Sequence, residues 1–261
     1  MDKRVRKLLR VVADYDPGYY DMFSDAEENF FAQLYVQRIV RHAQTLGIQP
    51  PAKVLEAGCQ AGRLIVPFAR LGFQVTGVDT SEFSLRRAKE HTRKAGVRAA
   101  FIRGDLVSVL DGRPDRQFDI IICAEVIYLW PQYRDMIKRM ADSLKPGGLL
   151  CVSHRTKLYY IMEALRARDF DTAATVANST AGPFRDSKYF NWQTAQELRQ
   201  LYQSLDLNVL GIHSIDRFAW LAQMPPSGLD EAEQKQLLAI ELSEAIGPDL
   251  CSRYALVVSR K

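Results

Sequence analysis

Several features that define other protein classes are scarce in this chain of 261 residues. No stretch approaches the roughly 20 consecutive apolar residues of a transmembrane helix, and the amino terminus is too polar for a secretory signal peptide. The four cysteines are scattered and form no C-x-x-C pair, which argues against a zinc site or a disulfide framework. We therefore expect a cytoplasmic protein with reduced thiols, no membrane span and no bound metal.

The excess of one sign of charge over the other is also small, because the net charge is only +4. Lysine and arginine alternate with acids along most of the chain and form no dense basic stripe. The exception is residues 1–10, where basic side chains are interleaved with apolar ones. This leader is interpreted as a solvated, partly helical segment, with an arm that binds nucleic acid or anionic lipid as the alternative.

The dinucleotide-binding spacing G-x-G-x-x-G is missing, and a different glycine pattern stands near residue 60. Val54 and Leu55 form an apolar run that ends in Glu56, Gly58 and Gly62 follow, and a helical pattern then begins. Glycines allow positive φ angles and a close approach of a ligand to the backbone, and a helix N-terminus offers free N–H donors. Since Glu56 would repel a phosphate, a cationic ligand such as S-adenosylmethionine (SAM) suits this turn better than a pyrophosphate.

Four further motifs follow this loop in order, at residues 75–81, 101–106, 118–125 and 144–150. Together with the loop they resemble the class I SAM-dependent methyltransferases over roughly residues 50–155. The resemblance implies an α/β fold with a doubly wound, mostly parallel sheet of seven strands. Its strand order would be 3-2-1-4-5-7-6, with strand 7 antiparallel.

The alternation of strand and helix patterns also favours a parallel sheet with helices on both faces. Expected strands lie near 53–57, 74–79, 98–103, 118–123, 148–153, 207–215 and 253–259, and expected helices near 62–71, 81–95 and 132–143. We predict a helical cap at 1–50, a SAM-binding domain at 51–261, a lid insertion at 155–190 and an added helix at 229–246. Residues 180–183 are interpreted as a loop of the lid. The added helix is interpreted as a cover or as an interface helix, which leaves a homodimer open.

Ligands of open α/β sheets bind beyond the carboxyl ends of the strands, and with the resemblance this rule assigns a cofactor site. Glu56 should contact the ammonium of SAM, and Asp79 should accept both ribose hydroxyls. Asp105 and Leu106 should hold the adenine. The remaining predicted cofactor residues are Gly58, Cys59, Gly62, Thr80, Gly104, Cys123, Ala124 and Glu125. The alternative for each acid is that it caps a helix or hydrogen-bonds a loop.

Methyl transfer requires mainly alignment and exclusion of water, and a general base only where the acceptor holds its proton. His154 directly follows the fifth strand, so we predict it on the ligand side as the candidate base, with Tyr128 as a second catalytic candidate. The segment around His154 loosely resembles that of ubiquinone-pathway O-methyltransferases, whereas the Glu-His pair that those enzymes carry after strand four is absent. Tyr19, Tyr20 and Tyr128 are the candidate aromatic side chains of the acceptor pocket.

The sequence therefore predicts an enzyme that transfers a methyl group from SAM to a small molecule and releases S-adenosylhomocysteine (SAH). The accepting atom, oxygen, nitrogen or carbon, is left open. Methylation of protein or RNA is an alternative, supported only by the basic leader. A non-catalytic SAM-binding module is another, kept open by the missing Glu-His pair. An NAD-dependent dehydrogenase is disfavoured by the spacing of the glycines.

Overall fold

A computed structural model of the chain describes residues 19–112, 117–243 and 251–261. The basic leader and the end of the predicted added helix lie outside the described residues. The helices are α1 (Ala26–Thr45), α2 (Ile65–Arg70), α3 (Glu82–Lys94), α4 (Leu106–Asp111), α5 (Tyr133–Asp142), α6 (Lys157–Arg166), α7 (Phe170–Ala177), α8 (Ala195–Gln203), α9 (Phe218–Leu221) and α10 (Glu231–Leu242). The strands are β1 (Lys53–Ala57), β2 (Gln74–Asp79), β3 (Ala100–Arg103), β4 (Phe118–Cys123), β5 (Leu144–Arg155), β6 (Ala181–Phe184), β7 (Ser187–Asn191), β8 (Asn208–Ile215) and β9 (Tyr254–Arg260). Short 3₁₀ helices lie at Ile127–Leu129 and Pro226–Gly228.

Seven strands form one sheet in the order β3-β2-β1-β4-β5-β9-β8. The first five are parallel to one another, and β9 runs antiparallel between β5 and β8. The predicted strands 6 and 7 correspond to β8 and β9, so the predicted fold class and strand order are confirmed. The order of the strands across the sheet changes direction between β1 and β4. Sheets of this kind bind their ligands at such a switch point.

Helices cover both faces of the sheet, and the central strands are buried on both sides. In β4, Ile120 and Ile122 belong to one hydrophobic cluster, and Ile121 belongs to the cluster on the opposite face. Successive side chains of a strand point to opposite faces, so a continuous apolar run is the pattern expected for such a strand. The first cluster also contains side chains of α1, among them Phe30 and Tyr35. The helix that precedes the sheet is therefore packed directly into the main core.

The insertion after β5 has a small core of its own. Tyr160 of α6, Val176 of α7 and Phe184 of β6 pack around the buried Trp192. The interpretation of residues 180–183 as a loop is wrong, because Ala181–Phe184 forms a hairpin with Ser187–Asn191. Pro183 is compatible with this hairpin because a two-stranded sheet leaves one side of each strand unpaired.

The helix near the carboxyl end, α10, lies against α1 and α9. Arg38 of α1 donates to the backbone oxygen of Glu241 at 3.1 Å. The Glu241 carboxylate accepts from the backbone N–H groups of residues 217, 218 and 219, at the start of α9. A carboxylate at this end of a helix pairs with N–H groups that have no partner within the helix. In the described part of the chain, no helix is long and apolar enough to cross a membrane.

Candidate functional site

The loop between β1 and α2 forms one wall of a cavity of about 300 Å³ at the carboxyl ends of β1, β2 and β4, called the first cavity. Gly58 has φ +78°, and a Cβ atom there would lie 2.5 Å from Cγ2 of Val126 on the opposite wall. The backbone N–H groups of Gly58 and Cys59 donate to the carbonyl oxygen of Val78 at 2.8 and 3.0 Å. The glycine therefore keeps the cavity open, and the loop is tied to the end of β2.

Gly62, the second glycine of the motif, does not line the first cavity. Its φ is +84°, and a Cβ atom would lie 3.3 Å from Cβ of Ala88 in α3. The lining of this cavity therefore gives no support to the prediction that Gly62 admits a ligand, which stays a prediction. This glycine is needed for the turn and for close packing of the loop against α3.

Glu56, the one acid of β1, is 5% exposed and lines the cavity. Its Oε2 atom is buried and has no hydrogen-bond partner among the described residues. Burial raises the pKa of Glu56 to about 8, although the nearby Arg63 lowers the pKa and Asp79 raises it further. A buried carboxylate without a partner is costly, so this side chain favours a cation or a hydrogen-bond donor in the cavity.

Asp79 ends β2 and is held in a fixed orientation by backbone donors. Its Oδ2 accepts from the N–H of Gln60 at 2.9 Å, and its Oδ1 accepts from the N–H of Ser81 at 2.8 Å. Each carboxylate oxygen has a second acceptor site. Asp79 and the adjacent Thr80 both line the first cavity, so the carboxylate can still bind two hydroxyl groups of a ligand.

Asp105 caps a helix and also lines the first cavity. Its Oδ1 accepts from the backbone N–H of Ser108 at 3.0 Å, which makes Asp105 the N-cap of α4. Hydrogen bonds from Ser108 lower the pKa of Asp105. Gly104, Asp105 and Leu106 also line the cavity. The capping bond fixes the carboxylate beside the space where a planar ring would lie against Leu106.

The end of β4 carries an ion-pair network that the sequence did not reveal. Arg63 is 6% exposed and lines the first cavity. Its guanidinium binds Glu125 at 2.7 Å and also forms an ion pair with Glu28 of α1. Burial alone would raise the pKa of Glu125, but Arg63 holds it below the ordinary value. Burial raises the pKa of Glu28 to about 7, and the charge of Glu125 adds to this effect.

The segment before α1 is held over the first cavity by Gln60, a residue with φ +42° in the glycine loop. The Gln60 side chain accepts from the backbone N–H of Met22 at 3.3 Å and donates to the carbonyl oxygen of Tyr20. Met22 itself lines the cavity. Neither Gln60 nor Met22 was among the predicted site residues, because their role depends on how a distant segment folds back.

The structure brings eleven of the twelve predicted cofactor residues into the first cavity, the exception being Gly62. Cys123, Ala124 and Glu125 complete its wall at the end of β4. Cys59 packs under the loop, where its Sγ would lie 2.7 Å from a Cβ atom at Gly77. All four cysteines are free, and three of them are buried.

Two of the predicted acceptor-pocket tyrosines lie elsewhere. The Tyr19 ring packs edge-on against Phe83 of α3, with ring centres 4.8 Å apart. Tyr20 is 53% exposed. Neither lines the first cavity. From the segment before α1, Met22 is the residue that lines the first cavity, and contact of Tyr19 or Tyr20 with an acceptor stays a prediction.

His154 lines neither the first cavity nor a second one beside the insertion after β5. It is fully buried on the face of the sheet that α8 covers, where its Nε2 lies 3.0 Å from the hydroxyl oxygen of Tyr202. Burial lowers the pKa of His154 to about 3. The error is one position in a strand, since neighbouring side chains point to opposite faces. Ser153 and Arg155 point to the other face, where Arg155 lines the second cavity and the Ser153 hydroxyl accepts from the N–H of Glu125 at 2.6 Å.

The second cavity, of about 430 Å³, lies between the 3₁₀ helix after β4, α6 and the hairpin of the insertion. Its lining residues are Tyr128, Leu129, Arg155, Tyr159, Tyr160, Phe184, Arg185, Asp186, Ser187 and Phe190. The predicted catalytic candidate Tyr128 is in this wall. Burial raises the pKa of Tyr128, and the positive charge of Arg155 partly offsets this rise. Tyr128 is therefore protonated at neutral pH and can donate a hydrogen bond.

Comparisons with known proteins agree with this geometry. Residues 54–148 match the family described as a methyltransferase domain. The chain is 36% identical over 117 residues to the ubiquinone biosynthesis O-methyltransferase of Bradyrhizobium sp. (strain ORS 278). The match covers 45% of each chain, so it spans about half the length of the curated relatives.

Solved structures with the same fold cover more of the chain at lower identity. Magnesium protoporphyrin IX methyltransferase from Synechocystis PCC 6803, crystallised with bound SAH, aligns over 100% of both chains with a TM-score of 0.60 and 15% identity. The 1,6-didemethyltoxoflavin-N1-methyltransferase of Burkholderia thailandensis aligns over 88% of this chain and 78% of its own, with a TM-score of 0.57 and 17% identity. At such identities the likeness concerns the fold.

Proposed function

Because residues 54–148 match the family described as a methyltransferase domain, we propose that this chain transfers a methyl group from SAM to a small-molecule acceptor. The observation that carries the proposal is the unpartnered carboxylate oxygen of Glu56 in a cavity that also presents Asp79. The relatives named as ubiquinone biosynthesis O-methyltransferases support an oxygen atom as the acceptor.

The residues of the first cavity fit the three parts of SAM. Glu56 would bind the ammonium, since a nearby cation lowers the pKa of a buried carboxyl and stabilises its charged form. Asp79 would accept from both ribose hydroxyls with the lone pairs that its backbone partners leave free. Leu106 would cover one face of the adenine, and Asp105 would accept from its amino group. Cys123, Ala124 and Glu125 would surround the sulfonium.

The protein contributes mainly alignment and exclusion of water. When bound, SAM would supply a methyl group that bonds to the acceptor atom as the carbon–sulfur bond breaks, with the electron pair left on sulfur and the proton of a hydroxyl acceptor released to water. We propose that the Tyr128 hydroxyl orients the acceptor by a hydrogen bond. No side chain is assigned as a general base, because His154 is buried against Tyr202 and lines neither cavity.

The first test is binding. SAM and SAH should raise the melting temperature of the purified chain, while NAD should not, and isothermal titration with SAH should give one site per chain. Stabilisation by NAD alone would overturn the proposal. Transfer of a radiolabelled methyl group into metabolite, protein and RNA fractions would then identify the acceptor class. Label in protein or RNA would favour the macromolecular alternative, and binding without transfer to any fraction would favour the non-catalytic one.

Location and assembly remain proposals as well. All four cysteines are free, which supports a reducing compartment such as the cytoplasm. Because α10 already covers α1, its packing gives no reason to require a homodimer.

A further inference from the structure

Arg155, at the end of β5, lines the second cavity, and no described carboxylate lies within ion-pair distance of it; the acid that shares this lining, Asp186, is exposed at the turn of the hairpin. The Nη1 atom of Arg155 is buried and has no hydrogen-bond acceptor among the residues that the structure describes. Such an atom loses its contact with water and gains nothing in return. A bound group that accepts hydrogen bonds at this position would remove that cost.

Two buried carboxylates near Arg155 are paired with other cations. Glu125 pairs with Arg63 at 2.7 Å, and Asp216 pairs with Arg253 at 2.7 Å. Arg185, which also lines the second cavity, is exposed and pairs with Glu163 at 2.9 Å. Within the described chain, Arg155 therefore differs from the other lining arginine in forming no direct ion pair, although the charges of Glu125 and Asp216 act on it from a distance.

Three aromatic rings surround the Arg155 guanidinium. Its Cζ lies 4.0 Å from the ring centre of Tyr254, 4.4 Å from that of Tyr159 and 5.2 Å from that of Tyr128. Stacking on rings occupies the faces of a guanidinium, whereas its N–H donors lie in its plane and point outward from the edge. The rings therefore hold Arg155 rigidly and leave donors for a ligand.

The rest of the second cavity is rich in aromatic side chains. Tyr160 packs edge-on against Phe184 with ring centres 4.7 Å apart, and its ring centre lies 5.6 Å from that of Phe190. These rings belong to α6 and to the hairpin of the insertion. They favour a flat aromatic ligand, since aromatic pairs stabilise beyond the area that they bury.

The two cavities lie side by side. Glu125, Val126 and Ile127 line the first, and the next residues, Tyr128 and Leu129, line the second. Consecutive Cα atoms are about 3.8 Å apart, so a ligand of the second cavity lies next to the end of β4, where the sulfonium would be.

We propose that the second cavity binds a small aromatic molecule with a carboxylate, which accepts hydrogen bonds from the edge of Arg155. If the chain is the methyltransferase proposed above, this molecule is its methyl acceptor. Arg155 then selects acceptors by their charge, and the rings of the insertion select them by their shape.

The test uses benzoate as the probe, with benzamide as its neutral counterpart of the same shape and acetate as an anion without a ring. Titration of the purified chain, followed by ligand-observed NMR, should show benzoate binding about tenfold or more tightly than benzamide or acetate, as expected for a charge-assisted contact. Arg155→Gln should abolish the preference for benzoate over benzamide. Arg166→Gln is the matched control, because Arg166 pairs with Glu163 and stacks on Trp220 outside the cavity.

The comparison of benzoate with benzamide on the unmodified chain does not depend on the folding of any variant. Equal affinity for the two probes, or weaker affinity for benzoate, would overturn the proposal. Its failure is also distinct from failure of the proposed function, which is tested by SAH binding. A chain that binds SAH and methylates only neutral acceptors keeps its function and loses this inference.

Discussion

The two cavities differ in how they are built and in the charge that they present. The first is formed by the ends of parallel strands, and its lining carries the acids Glu56, Asp79, Asp105 and Glu125 around one arginine, which is fully paired. The second is formed largely by the insertion after β5, and its buried Arg155 forms no direct ion pair among the described residues, while the acid in its lining, Asp186, is exposed. We therefore propose that the common fold supplies a site for a cationic ligand and that the added segment supplies a site for an anionic one.

The largest effect on stability is expected for Arg63, the paired arginine of the first cavity. Arg63→Met leaves Glu28 and Glu125 buried without their cation, so we expect the free energy of unfolding to fall by about 3–5 kcal/mol. Urea denaturation followed by tryptophan fluorescence measures this loss. Arg139→Met is the control, since its ion pair with Asp111 is exposed and should contribute less than about 1 kcal/mol. Equal losses in both variants would contradict the importance of the buried network.

The second prediction separates the two cavities by ligand. Asp79→Ala should weaken SAH binding by about ten- to a hundredfold, because hydrogen bonds to a charged group contribute roughly 1.5–3 kcal/mol. Benzoate affinity should not change. Titration calorimetry measures both, and Asp142→Ala, at an exposed residue paired with Lys138, is the control. Unchanged SAH affinity would move the ribose site away from β2.

His154 tests whether the far face of the sheet takes part in the chemistry. His154→Ala leaves the Tyr202 hydroxyl unpaired in the core, which should lower the free energy of unfolding by roughly 1–3 kcal/mol. SAH and benzoate affinities should stay as in the unmodified chain. Turnover per folded molecule should also be retained, since a group with a pKa near 3 is a poor base at neutral pH. A selective loss of kcat with unchanged KM would restore His154 as a catalytic candidate.

Glu56→Gln should weaken SAM binding by about tenfold, the value of one charge-assisted contact. It should also change how stability depends on pH. The folded pKa of about 8 lies above the ordinary value of 4.5, so the folded chain binds more protons than the unfolded chain between these values. Stability contributed by this proton is present below about pH 4.5 and is lost as pH rises toward 8. Chemical denaturation at several pH values should therefore give a flatter profile for Glu56→Gln. Parallel profiles would contradict the raised pKa.

The smallest effect is expected at the boundary between the cavities. Tyr128→Phe removes one neutral hydroxyl and keeps the ring, so turnover should fall by only a few-fold, since a neutral hydrogen bond contributes about 0.5–1.5 kcal/mol. Steady-state kinetics should show the change in kcat or in KM for the acceptor, and KM for SAM should be unaffected. A change confined to KM for SAM would place the hydroxyl in the first cavity.

The difference between the two cavities also explains which features could be predicted from the sequence. Strand order was predicted from the resemblance to a known family. Most of the first cavity follows from local motifs, because Glu56, Asp79 and Asp105 each stand at the end of a strand or the start of a helix. Arg63, Gln60 and Met22 were missed, because their roles arise from contacts with α1 and with the segment before it. At β5 the strand was predicted correctly, but His154 was chosen where alternation places Arg155 at the second cavity. The hairpin of the insertion was missed because both of its strands are short and the first contains glycine and proline.

The contacts of Gln60 have a consequence for how long a nucleoside stays bound. Its amide forms hydrogen bonds with the backbone of residues 20 and 22, and these bonds must break whenever that segment moves away from the cavity. Neutral hydrogen bonds contribute only about 0.5–1.5 kcal/mol each, so thermal motion suffices to break them. We therefore expect residence time to depend on position 60, and a single substitution there could change product release without altering the chemical step.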